Sequence, residues 1–178
     1  MDASKRIVVN TLAQHIRSIV NIVLSLYSTR LILQALGQSD YGIYSLVAGV
    51  VAMLGFLTNA MVVTTQRQLS FYHGSGNIDT VRRIFSNSLL LHVLLGIILV
   101  VVLLAVEPLL FNGFLRIKQE RMNTATIVYG LVILSLLITF LTAPYRALFI
   151  ARENIVYISV VDVLDGLFKL LAAIWLLH

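Results

Sequence analysis

Six polar side chains recur along the first apolar stretch of this chain: Asn10, Gln14, Arg17, Asn21, Ser25 and Ser28. At 100° per residue they fall within an arc of about 80° on one helix. The opposite face carries Ile16, Ile19, Val23 and Leu26. Arginine offers a planar fork of donors that fits phosphate or carboxylate, and amides and hydroxyls beside it suit sugar hydroxyls. Arg17 lies roughly ten residues into the apolar run, or about 15 Å at 1.5 Å per residue. An arginine at that depth of a bilayer costs about 2.5–3.5 kcal/mol, so the stripe must face a partner helix or a water-filled cavity. One reading is a helix–helix seam of buried hydrogen bonds. The other is the wall of a hydrated cavity, which six polar positions in succession favour.

A second charged constellation stands near the C-terminal end. Asp162, Asp165 and Lys169 fall within about 60° of one another on a helical wheel, and Asp165 and Lys169 have the i,i+4 spacing of an ion pair. Charges within a span mark ion or substrate paths, so these three are candidates for ion coupling. The alternative is a neutralised structural pair with Asp162 near the interface. Ser135, Thr139, Thr142 and Arg146 share a face farther upstream. There the hydroxyls are expected to bond back to their own helix, and Arg146 to sit at the membrane interface. Ser45, Gly49 and Ala52 form a small-residue face that predicts close helix packing. His15 points away from the first stripe and His92 is alone in an apolar run, so no metal site is expected. The absence of cysteine excludes thiol chemistry and disulfides. No P-loop, G-x-S-x-G or H-E-x-x-H pattern is present, and neither an enzyme nor a bound cofactor is expected.

The elements that must hold these residues are hydrophobic helices. The 178-residue chain is 59% hydrophobic and 12% charged, with a mean hydropathy of +0.94. A soluble domain carries roughly 25% charged residues. The composition therefore predicts an all-α, polytopic transmembrane bundle of about five spans in a single membrane domain, at roughly 7–36, 41–68, 86–106, 124–148 and 157–177. The net charge of +5 is read as a topology signal and not as nucleic-acid binding. Lys5, Arg6, Arg67, Arg82, Arg83, Arg146 and Arg152 fall on one side. Arg30, Arg116, Lys118 and Arg121 fall on the other, which predicts a cytoplasmic N-terminus. Asn10, Gln14, His15 and Arg17 interrupt what a cleaved signal peptide would need, so the first helix is expected to be retained.

Between the helices, Gly37-Gln38-Ser39-Asp40 is expected to make a short turn and an antiparallel hairpin. His73-Gly74-Ser75-Gly76-Asn77 breaks the chain before the third span. Glu107–Asn123 makes a longer connection with a short surface helix, and Pro144 is expected to kink or end the fourth helix. The fifth apolar run reaches His178 with no tail, so the expectation is a chain that stops early, a fragment of a longer protein or a truncated product, rather than a complete five-helix protein.

The run Leu36-Gly37-Gln38-Ser39-Asp40-Tyr41-Gly42-Ile43-Tyr44, within the longer stretch Ser28–Val47, resembles the first helix end and hairpin of bacterial polysaccharide-biosynthesis flippases. These are O-antigen and capsule exporters of the multidrug/oligosaccharidyl-lipid/polysaccharide superfamily. Gln66-Arg67-Gln68-Leu69-Ser70-Phe71 and Ala143-Pro144-Tyr145-Arg146-Ala147-Leu148-Phe149-Ile150-Ala151-Arg152-Glu153 are similar to other recurring segments of that family. The resemblance implies an inner-membrane protein with two lobes around a cationic cavity, moving lipid-linked oligosaccharides by alternating access. It makes Arg17 a cavity arginine and Arg30 and Arg67 basic contacts near the two ends of the N-terminal lobe, of which this chain supplies a part. Its implied partners are the lipid-linked oligosaccharide, membrane lipid and other polysaccharide-assembly membrane proteins. Two alternatives stay open. One is a multidrug or cation antiporter of the same superfamily, using Asp162 or Asp165. The other is a non-transporting membrane scaffold. The first span holds Arg17 and no acidic residue, which argues for an anionic substrate.

Overall fold

The structure, a computed structural model, describes residues 3–114, 117 and 119–177. Every regular element among them is helical: α1 Ala3–Ala52, α2 Gly55–Gly74, α3 Ile78–Leu109, α4 Met122–Ala151 and α5 Ile155–Trp175. A π-helical turn at Leu110–Phe114 and a 3-10 turn at Gln119–Arg121 lie between α3 and α4. Arg116 and Lys118, counted above among the outward basic residues, lie outside the described residues, as does His178.

Three helical stretches among the described residues, Val8–Gly74, Ile78–Leu109 and Gln119–Ala151, are long and apolar enough to cross a membrane. Their surfaces agree with that role. Ile16, Ile19, Val23 and Leu26, opposite the polar stripe, are 58–69% exposed. In water, apolar surface on this scale would drive association; against hydrocarbon it is ordinary. The chain is therefore an all-helical membrane protein. α5 is also long enough, but it carries Asp162, Asp165 and Lys169 within its 21 residues. Whether it enters a bilayer depends on how those charges are compensated.

The chain divides into two compact units, Met1–Tyr41 with Phe149–His178, and Gly42–Leu148. In the second unit the core is built from Val47, Val51, Leu103, Phe111, Tyr129 and Phe140 with their neighbours. Tyr129 is fully buried; its hydroxyl donates to the Leu103 carbonyl at 2.8 Å and its ring meets Phe111 edge-on. α3 passes close to α4 at Gly96, where an added Cβ would stand 3.2 Å from Leu137 Cδ1 and 3.3 Å from Phe140 Cβ. α2 and α3 form a tight hairpin. Gly76 supplies the left-handed backbone of its turn at φ 74°, and the Asn77 side chain caps α3 by accepting from the Thr80 amide at 3.1 Å.

Several local expectations are corrected. The proposed four-residue turn at 37–40 is a one-residue break: only Gly37, at φ 74° and ψ 171°, leaves the helical region, and helix resumes at once to Ala52. Glycine alone tolerates that conformation without strain, so one residue does the work of a loop. The helix that follows stops at Ala52 and restarts at Gly55, where 41–68 reads as continuous in sequence. Pro144 does not end α4, which runs seven residues further with the proline ring packed inside. The small-residue face is also not a close-packing face, because nothing lies within 4 Å of a Cβ built on Gly49. The close approaches occur instead at Gly96 and Gly166.

Candidate functional site

The polar stripe and the charges of α5 meet in the first unit. Arg17 Nη1 donates to Asp162 Oδ2 at 3.0 Å, with the two side chains only 18% and 21% exposed. Four residues on, Asn21 Oδ1 would stand 3.1 Å from a Cβ at Gly166, and Leu24 Cδ1 3.0 Å from it. Gly166 thus creates the space into which Asn21 and Leu24 fit. At the other end, Asn10 Nδ2 donates to the Glu153 carbonyl at 3.1 Å. That carbonyl is turned by the left-handed backbone of Glu153, φ 57°, in the bend between α4 and α5. The contacts advance together along both segments, from Asn10 to Asn21 and from Glu153 to Gly166, so α1 and α5 run in the same direction.

The six stripe residues therefore divide. Asn10, Arg17 and Asn21 are turned to the α5 segment. Ser28 is buried, while Gln14 and Ser25 are exposed on the same helix. The Asn21 Oδ1 and Ser28 Oγ atoms are buried and accept no hydrogen bond among the described residues. Each such atom is held away from water without compensation, a cost of about 1–3 kcal/mol. Among the described residues the remaining donors of the Arg17 fork meet no protein acceptor. What stands here is a compensated cation with spare donors, with one unfilled acceptor a turn away at Asn21 and a second three turns away at Ser28.

The three charges of α5 do not act as one cluster. Lys169 Nζ reaches Asp165 Oδ2 at 2.6 Å along the same helix, with both side chains more than 60% exposed. Asp162 belongs to α1 instead. Arg30 is exposed on α1 and Arg67 on α2, in the other unit, so neither joins the Arg17 contact within its unit.

Sequence reasoning did not find a buried polar chain in the second unit. Thr65 Oγ1 lies 2.8 Å from Ser88 Oγ, and His92 Nδ1 lies 3.3 Å from Ser88 Oγ and 2.7 Å from the Ser88 carbonyl. The short contact to a carbonyl requires the proton on Nδ1. His92 is fully buried and its Nε2 has no partner among the described residues. Two signals were present. Ser88 and His92 are spaced i,i+4, and Thr65 and Ser88 lie almost equally far from the Gly76 turn. On the fourth helix, Thr139 and Thr142 do bond back to backbone carbonyls, Ser135 and Ile138 respectively, at 2.9 and 3.0 Å.

No protein-family model, curated protein or solved structure matches this chain.

Proposed function

We propose that this chain is part of a lipid-linked oligosaccharide flippase, moving polyprenyl-pyrophosphate-linked sugars across a bacterial inner membrane by alternating access. The observation that carries the proposal is the Arg17–Asp162 pair. It holds a guanidinium inside an apolar helix at small cost, yet leaves most of its fork unspent. A pyrophosphate diester carries more negative charge than Asp162 and matches that fork bidentately. It displaces the carboxylate on binding and returns Arg17 to it on release. Gln14 and Ser25, exposed on the same face, are the groups to meet sugar hydroxyls. The resemblance of the Leu36–Tyr44 run adds support, since Gly37 within it is the residue whose φ breaks the helix.

The topology proposed with this function has five crossings and a cytoplasmic N-terminus. As one straight helix, the 67-residue stretch Val8–Gly74 would measure about 100 Å, some three times a hydrocarbon core. The Gly37 break divides it into two crossings. Pairing of Asp162 with Arg17 and of Asp165 with Lys169 neutralises α5 enough for it to make the fifth. The same pairing weakens the case for cation antiport, because both carboxylates already hold a cation.

A second reading is favoured by Asn10 and Asn21, which also turn to α5: a structural seam in a scaffold subunit. Binding of a polyprenyl pyrophosphate to the purified chain separates the two. Arg17→Ala is expected to lower affinity about tenfold to a hundredfold, the loss of charge-assisted hydrogen bonds of about 1.5–3 kcal/mol. Arg17→Lys should fall between. In cells exporting such a glycan, Arg17→Ala should accumulate the precursor on the cytoplasmic face. Unchanged affinity and export in Arg17→Ala would leave only the seam.

A further inference from the structure

In the second unit, α2 and α3 leave between them an open groove of about 390 Å³. Its floor is sealed by the buried Thr65–Ser88 hydrogen bond. Gln68 and Asn87 line it toward the hairpin turn, and Ala60, Met61 and Leu91 line it farther along. On a helical wheel Arg67 lies beside Ala60 and Thr64 on the α2 lip, and Arg83 lies one turn before Asn87 on the α3 lip. Both arginines are exposed, and neither has an ion-pair partner among the described residues. They also stand at similar heights, roughly 10 Å and 8 Å from the helix ends at Gly74 and Ile78. Arg82 is equally exposed but points to the opposite side of α3.

We propose that this groove binds an anionic phospholipid, with its phosphodiester between Arg67 and Arg83. The amide of Asn87, one turn deeper than Arg83, then meets a glycerol ester carbonyl just beneath, and Gln68, level with Arg67, adds a neutral donor beside the phosphodiester. One acyl chain runs down over Met61 and Leu91, about 9–12 Å further along the helices. The order of chemistry along the groove is the order of chemistry in a lipid leaflet: cations at headgroup level, neutral donors at the esters, apolar walls below. An acidic residue would spoil the mouth. Asp79 is the acid nearest in sequence, four residues before Arg83, and among the described residues it makes no ion pair with it. A soluble phosphate would use the arginines but not the groove, whereas a zwitterionic lipid would use the groove but repel the arginines with its choline. This site is independent of the flippase reading and requires only that the chain resides in a membrane.

The test is lipid retention by the purified full chain, read by native mass spectrometry and by thermal stability in detergent. The probes are phosphatidylglycerol, phosphatidylcholine and glycerol phosphate. Wild type should retain phosphatidylglycerol at least tenfold better than phosphatidylcholine, with no stabilisation by glycerol phosphate. Each of Arg67→Gln and Arg83→Gln should lower phosphatidylglycerol affinity about fivefold, the equivalent of about 1 kcal/mol per basic residue, and the double variant about thirtyfold. Arg82→Gln, with the same charge change on the far side of α3, should lose less than twofold. Leu91→Trp, which fills the groove, should reduce retention with both arginines intact. The proposal is overturned if Arg82→Gln costs as much as Arg83→Gln, if phosphatidylcholine binds as well as phosphatidylglycerol, or if Leu91→Trp changes nothing while helix content is preserved.

Discussion

The two units hold polar groups in apolar surroundings in opposite ways. In the first, a guanidinium and a carboxylate, 145 residues apart in sequence, meet at 3.0 Å and keep about a fifth of their surface open. In the second, Thr65, Ser88 and His92 link hydroxyls and an imidazole within one hairpin and bury them. A charged pair is strong only while both members are present, and an incoming anion can exchange into it. The buried chain of hydroxyls offers no ion pair to exchange and ties α2 to α3. The proposed function rests on that difference and places ligand exchange at the charged pair.

That contrast can be broken, and the largest effect should come from orphaning the charge. Asp162→Ala leaves Arg17 uncompensated within an apolar helix and should destabilise the first unit by about 2.5–3.5 kcal/mol. Chemical denaturation in detergent would measure it. The double change Arg17→Leu with Asp162→Leu should recover most of the loss, because an apolar pair replaces an ion pair at little cost. Recovery of stability without recovery of pyrophosphate binding would separate the role of the pair in folding from its role in recognition.

Next in size are the two glycine contacts. Gly96→Leu must push Leu137 and Phe140 apart, and Gly166→Leu must push Leu24 and Asn21 away; each should cost about 1–3 kcal/mol. Only the second should also weaken ligand binding, since it moves Asn21 and Leu24 on the Arg17 helix. Smaller again is Ser88→Ala, which removes one neutral link; about 1 kcal/mol is expected, read from the melting temperature, with no change in binding. The smallest effect is expected from Asp165→Gln with Lys169→Gln. That pair is exposed and closes on its own helix, so removing both charges should shift stability by less than about 0.5 kcal/mol.

The stripe on α1 was legible because polar residues at helical spacing stand out against Leu, Ile and Val. The same periodicity marked Asp165 and Lys169 as partners. It did not mark Asp162 as the partner of Arg17, since a wheel shows which way a side chain points and not which helix lies opposite. The break at Gly37 was legible as a break, but its size was not. Gly, Ser and Asp together read as a loop, whereas a single residue at φ 74° is enough and Ser39 and Asp40 stay helical. His92 reads as isolated because its partners are the Ser88 carbonyl and hydroxyl one turn back, the hydroxyl in turn meeting Thr65 across the hairpin. Neither is visible in apolar patterning. Gly96 and Gly49 look alike in sequence; only the neighbours that α4 brings to Gly96 distinguish them.

In the proposed function Asp162 is the placeholder for an anionic ligand on Arg17. The direct measurement is the affinity of the purified chain for a polyprenyl pyrophosphate in wild type and Asp162→Asn. Asparagine keeps the volume and an acceptor but removes the competing charge. Asp162→Asn is expected to bind the pyrophosphate more tightly than wild type, by about tenfold, even as the unliganded protein becomes less stable. Equal or weaker binding in Asp162→Asn, with the helices intact, would contradict it and make the Arg17–Asp162 contact a structural seam.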